Sequence, residues 1–263
     1  MKILFIGDIV GQTGRDVIKT KLQKIIEKYD IDFVIANGEN VTHGKGLIFR
    51  HYEELCDCGI DVFTLGNHYN SKYELRKFID DVDNIIRPYN LLPGSYPGVG
   101  TKVFDVNGYL VRVTNILGEA FMSNVNITNH YLALKEIIDE GEPCDVHIVD
   151  FHGESTSEKQ IIGYVFDGQL SAILGTHTHV QTRDNQILPN GTAFISDAGM
   201  CGAADGVIGW DVDSVVNKMI FGATKAIEVA ISAKKMFNGV VLNIDENTGK
   251  CKEIFTIYQV WED

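Results

Sequence analysis

Lys2-Ile3-Leu4-Phe5-Ile6-Gly7-Asp8 is a short apolar run that stops at Gly-Asp, the form of a buried strand with a carboxylate at its end. The same form recurs along the chain. Residues 32–36 (DFVIA) precede Asn37-Gly38-Glu39-Asn40, and 61–65 (DVFTL) precede Gly66-Asn67-His68. Later, 145–151 (DVHIVDF) lead into His152, and 170–175 (LSAILG) lead into Thr176-His177-Thr178-His179. Between the first runs, Val17, Ile18, Leu22, Ile25, Ile26 and Tyr29 recur at helical spacing, and 47–57 reads as a second helix. Strand–helix–strand alternation predicts parallel strands joined by right-handed crossovers.

Working outward, the middle changes character. Asn107-Gly108 between alternating apolar flanks over 104–116 signals a hairpin. Pro189-Asn190-Gly191 within 186–197 signals a second, and 239–259 a third that turns at Asn247-Thr248-Gly249. Helices are predicted at about 129–140 and 157–166, and one or two more after a polar, Gly-rich stretch at 199–211 that reads as loop. The pattern is an α/β fold of two mixed sheets packed together with helices outside, one domain over 1–263.

Composition narrows the function. The formal charge is -13 and no basic run occurs, which excludes a broad nucleic-acid-binding surface. A nucleotide substrate remains open, because bound cations invert the local field of an acidic protein. No stretch reaches the roughly 18 apolar residues of a membrane span, and the opening run lacks the form of a secretory signal, so the expected location is the cytoplasm. The five cysteines are scattered without zinc-ribbon or disulfide spacing and read as buried free thiols.

The strand ends carry the chemistry. Asp8, Glu39, Asn40, Asn67, His152, His177 and His179 offer two carboxylates, two amides and three imidazoles, and His68 stands beside them. Carboxyl ends of strands are where α/β sheets bind ligands. One zinc takes three or four protein ligands, so this inventory suits two ions sharing a bridging carboxylate. Mixed nitrogen and oxygen donors favour iron, manganese or zinc over magnesium. Taken singly, these residues have plainer readings. Asp8 could cap the next helix, Asn40 and Asn67 could serve turns, and His177 and His179 could be exposed loop histidines, although two apart in an extended segment they point the same way and can share a site. Their joint occurrence at five strand ends argues for the site.

The motifs Gly7-Asp8, Gly38-Glu39-Asn40, Gly66-Asn67-His68, Asp150-Phe151-His152 and Gly175-Thr176-His177-Thr178-His179 resemble those of calcineurin-like metallophosphoesterases. Residues 149–159, 175–182, 187–200 and 206–209 resemble the bacterial YmdB-type branch in particular. The resemblance spans essentially the whole chain. It implies a four-layer αββα sandwich and a dinuclear centre. By residue, it implies that Asp8, Glu39, Asn40 and His179 hold one ion, while the bridging Glu39, Asn67, His152 and His177 hold the other. His68 would face the substrate and protonate the leaving oxygen as a metal-bridged hydroxide attacks phosphorus. The branch is associated with hydrolysis of 2′,3′-cyclic nucleotides, so the expected partner is a small cyclic nucleotide or an RNA-end phosphodiester. A homo-oligomer is also implied.

Two departures from the superfamily, Val10 in place of a histidine and Glu39 in place of aspartate, are shared by the YmdB-type branch. Asn70-Ser71, where the branch commonly has Trp-Asp, removes a carboxylate near His68. Two other readings stand beside the phosphodiesterase: a phosphomonoesterase or protein phosphatase on the same metals, and a regulatory nucleotide-binding protein. Away from these motifs, His43, His51 and His130 are expected in solvent, His147 in the core with a hydrogen-bond partner, and Arg87 and Arg183 in surface ion pairs.

Overall fold

The structure, a computed structural model, describes residues 1–122 and 125–262. The first half runs β1 (Lys2–Ile6), β2 (Asp8–Ile9), α1 (Gly11–Tyr29), β3 (Phe33–Asn37), α2 (Phe49–Cys56), β4 (Val62–Thr64), α3 (Leu75–Phe78) and β5 (Ile85–Ile86). The middle comprises β6 (Thr101–Val106), β7 (Tyr109–Leu117), α4 (His130–Glu140), β8 (Val146–His152), α5 (Thr156–Val165) and β9 (Ala172–Thr176). The chain continues through β10 (Gln186–Ile187), β11 (Ala193–Ile195), β12 (Met200–Ala203), α6 (Val212–Met219), β13 (Lys234–Ile244) and β14 (Cys251–Glu262).

Two mixed sheets result. In the first, β1, β3, β4 and β5 are parallel, as the strand–helix–strand rhythm predicts, and β13 joins the far side of β1 antiparallel. β13 changes partner along its length. Residues 239–243 pair with β1, residues 235–236 pair with β12, and β14 follows its other edge. In the second sheet, β7, β8, β9 and β11 are parallel, with β6 and β10 antiparallel at the edges.

Strand alternation explains the layers. Ile3 and Phe5 of β1 pack with Val146 and Ile148 of β8 between the sheets. Leu4 and Ile6 turn the other way, onto Val17, Ile18 and Leu22 of α1, while Val149 and Phe151 pack against Leu134 of α4 and Ile162 of α5. The order is therefore helix, sheet, sheet, helix. Ser155 caps α5 by accepting from the Glu158 amide at 3.3 Å, and Asn129 caps α4 through Leu132 at 3.1 Å.

The stretch 199–211 is not all loop. Met200–Ala203 forms β12, buried at every position, so its short sequence carries no alternation for a strand pattern to reveal. Only α6 is helical between there and β13. No helix among the described residues is long and apolar enough to cross a membrane.

Candidate metal centre

The parallel strands of both sheets deliver their carboxyl ends to one rim. From the first sheet, Asp8 follows β1, where pairing of β2 with β12 sets Asp8 opposite Met200. Glu39 and Asn40 lie in the turn after β3, and Asn67 and His68 follow β4. From the second sheet come His152, the last residue of β8, and His177 and His179 after β9.

The seven donors fall into two groups that share Glu39. In the first, Asn40 Nδ2 lies 3.1 Å from Asp8 Oδ1, 3.1 Å from His179 Nε2 and 3.3 Å from Glu39 Oε1. In the second, His152 Nε2 lies 3.2 Å from Glu39 Oε1, 3.0 Å from Asn67 Oδ1 and 3.1 Å from His177 Nδ1. Asp8, Glu39, Asn40 and His152 are almost wholly buried.

Surrounding hydrogen bonds fix the imidazoles. His152 Nδ1 lies 2.8 Å from Thr176 Oγ1, whose hydroxyl donates to Asp150 at 2.6 Å. With that hydroxyl proton committed, Nδ1 carries the histidine's own proton and Nε2 turns a lone pair inward. His179 Nδ1 donates to the Ile208 carbonyl at 2.8 Å, leaving its Nε2 unprotonated in the neutral ring. Burial lowers His152 to about 4 and His177 to about 3, so both are neutral at pH 7. Burial raises Asp8, and raises Asp150 to about 7.

This donor set fits metal. Oε1 of Glu39 and Oδ1 of Asn67 lie 3.2 and 3.0 Å from Nε2 of His152, and all three atoms are acceptors with no proton to share among them. A cation with ligands at about 2.1 Å separates neighbouring donors by roughly 3.0–3.4 Å, the spacing seen here. Asn40 faces only acceptors, and an amide turned over offers Oδ1 to the same point. Gly66 keeps the space clear: a Cβ there would stand 2.3 Å from Glu39 Oε2 and 2.5 Å from His152 Nε2.

His177 and His179 do not share one extended face. Their φ values of 101° and 66° break the strand, so His177 joins the second group and His179 the first. Left-handed backbone at non-glycine residues costs of order 1–3 kcal/mol each and needs outside support. That support includes His177 N donating to Asp8 at 3.1 Å and Thr178 N donating to Asp197 at 3.0 Å. Asp197 is itself held by Lys159 in a buried ion pair at 3.2 Å.

His68 sits at φ −90°, ψ 9°, and its amide donates to Glu39 Oε2 at 2.9 Å. Burial lowers its pKa. Its ring lines a cleft of about 220 Å³ with Glu39, His177, Glu154, Ile208 and Trp210. The carboxylate of Glu154 lies 3.2 Å from His177 Nε2. Sequence reasoning overlooked Glu154, Lys159, Asp197 and Trp210. Glu154, Lys159 and Asp197 all lie in the quoted stretches 149–159 and 187–200, whereas Trp210 lies outside them.

Outside the centre, His147 is a core residue, with Nε2 2.9 Å from Thr114 Oγ1. Several expectations fail, among them that of His130, whose side chain is only 12% exposed and packs edge-on against Phe151. His51 is buried, because Thr42 turns its hydroxyl onto Nδ1 at 2.9 Å. Arg87 is buried too, and its guanidinium serves backbone carbonyls of Pro88, Tyr96, Pro97 and Gly98 in place of an ion pair.

Residues 4–257 match the model of the YmdB-like protein family. The chain belongs to that family. Among its YmdB-like relatives, the 2′,3′-cyclic-nucleotide 2′-phosphodiesterase of Bacillus subtilis (strain 168) is 43% identical, over 97% of this chain and 95% of its own. The crystal structure of a novel phosphatase from Mycoplasma pneumoniae superposes with a TM-score of 0.94 at 39% identity, covering 100% of this chain and 94% of the other. A Thermus thermophilus protein described as hypothetical superposes at 0.91 with 35% identity, covering 100% of both chains. The YmdB-like fold thus extends over the chain described here.

Proposed function

We propose that this YmdB-like protein is a cytoplasmic, dinuclear-metal-dependent phosphodiesterase acting on 2′,3′-cyclic nucleotides or RNA-derived phosphodiester ends. The observation that carries the reading is the pair of donor groups sharing Glu39. Asp8, Glu39, Asn40 and His179 would hold one ion, and Glu39, Asn67, His152 and His177 the other. Iron or manganese suits these donors best, with zinc a further fit. Two ions bound there would supply positive charge to the phosphoryl oxygens and hydroxide near neutral pH.

The chain's own residues do the rest. Asp150 and Thr176 orient His152, and the Ile208 carbonyl orients His179. His68, beside Glu39 in the cleft, would protonate the leaving 2′ or 3′ oxygen. Burial alone would keep its ring neutral, and the negative charge of a bound phosphodiester opposes that shift. The named activity of the Bacillus subtilis relative supports the cyclic nucleotide as substrate. All five cysteines are free, which suits a reducing compartment.

The test is hydrolysis of 2′,3′-cyclic AMP by the manganese-loaded protein, with and without chelator, beside a phosphoserine peptide. Chelator-sensitive release of 2′- or 3′-AMP supports the reading. Turnover of the phosphopeptide alone would replace it with a phosphomonoesterase or protein phosphatase; the Mycoplasma pneumoniae structure is described as a novel phosphatase. Two bound metals with no turnover of either would favour a regulatory nucleotide-binding role.

A further inference from the structure

We infer that Trp210 is a stacking platform for the base of a nucleotide whose phosphate lies on the Glu39 cluster. This rests on the phosphodiesterase reading for the phosphate's place, and it adds what holds the other end of the substrate. Trp210 lines the same cleft as His68, Glu39 and His177.

Trp210 is built into position. Val207 and Trp210 exchange both backbone hydrogen bonds, at 2.8 and 3.0 Å, around a two-residue turn. Ile208 and Gly209 in that turn have φ of 47° and 92°, the conformation of a tight hairpin reversal. Ile208 also gives its carbonyl to His179, so one turn fixes a donor of the cluster and carries Trp210, which lines the same cleft.

The far edge of the indole is packed, while the residue as a whole stays half-buried. A Cβ on Gly44, whose φ is +76°, would stand 2.6 Å from Cη2 of the indole and 2.8 Å from Val229, so backbone and Val229 pack directly against it. Lys45 Nζ lies over the ring at 6.0 Å from its centroid. A face that admits a flexible surface cation also admits the π-face of a base, and any base has one. Trp210 is only half-buried, although an indole with a purely structural role would gain by full burial.

The chain has two tryptophans, so Trp261→Phe leaves Trp210 as its single indole reporter. Metal-loaded Trp261→Phe protein is titrated with 3′-AMP, with ribose 5-phosphate and inorganic phosphate as baseless controls. Saturable fluorescence quenching by 3′-AMP, absent with both controls, is expected. In parallel, Trp210→Ala should raise KM for 2′,3′-cyclic AMP roughly 5- to 150-fold with kcat little changed, the range for loss of one base–aromatic stack, and Trp210→Phe should restore most of it. Equal quenching by all three ligands, or none by 3′-AMP, overturns the assignment. Quenching by 3′-AMP without hydrolysis of the cyclic nucleotide would retire the hydrolytic reading and leave the base platform standing.

Discussion

Asn37 and Asp150 come from opposite sheets and meet at 2.9 Å, Nδ2 to Oδ2, with Asn37 Nδ2 also 3.4 Å from Nδ1 of His152. The Asp150 carboxylate also takes the Thr176 hydroxyl, and Thr176 takes His152 Nδ1–H. One buried chain of hydrogen bonds therefore clamps the sheets together and sets the tautomer of a candidate ligand.

Replacing Thr176 with valine keeps the shape and removes the relay. The expected result is roughly 10- to 100-fold weaker metal binding, the usual effect of losing a ligand's hydrogen-bond partner. Competition against a chromophoric chelator measures it. Unchanged affinity would mean that the strand alone orients His152.

Glu39→Gln and His68→Ala should part company. Glu39 touches both donor groups, so Glu39→Gln is expected to lose both ions and activity together, as read by elemental analysis. His68→Ala should keep the ions and lose about 10²–10⁴-fold in turnover of substrates with poor leaving groups. Metal loss in His68→Ala would contradict the division of roles.

Gly66→Ala tests whether the space beneath the cluster matters. The added methyl would collide with Glu39 and His152, so metal content should fall while circular dichroism of the folded chain is retained. A fully loaded Gly66→Ala protein would show that the turn after β4 can retreat.

His147 makes an acid-stability prediction distant from the metals. Burial lowers its pKa from 6.5 to about 3, so between those values the unfolded chain binds a proton that the folded chain refuses. Folding is therefore weakened as pH falls through that window, by up to about 1.4 kcal/mol per pH unit. In chelator, urea unfolding at pH 7 and pH 4.5 should show a smaller loss for His147→Gln than for the parent. Equal losses would mean the ring is protonated in the folded state.

Legibility in the sequence followed the length scale of the signal. Strand ends beside glycine stood out because a short apolar run and the polar donor after it are adjacent in sequence, as at Asp8 and Asn67. Hairpins announced themselves through Asn-Gly pairs. Missed features depend on contacts distant in sequence: β12 is defined by pairing with β2 and β13, and Lys159 and Asp197 find each other across 38 residues. The left-handed turns at His177 and His179 were invisible for another reason, since neither residue is glycine and only their surroundings impose the conformation.

The pairing of β13 with β1 has a consequence for the order in which this molecule is made. β1 is made well before β13, so one of its edges waits for residues 239–243. Asp8 likewise waits for its strand neighbour Met200, so its donor group cannot close early. Domains form as units while synthesis proceeds from the amino end. During translation the growing chain would thus carry an open, apolar β1 edge until β13 is made, and the proposed metal site would lack the strand neighbour of Asp8 until β12 is made.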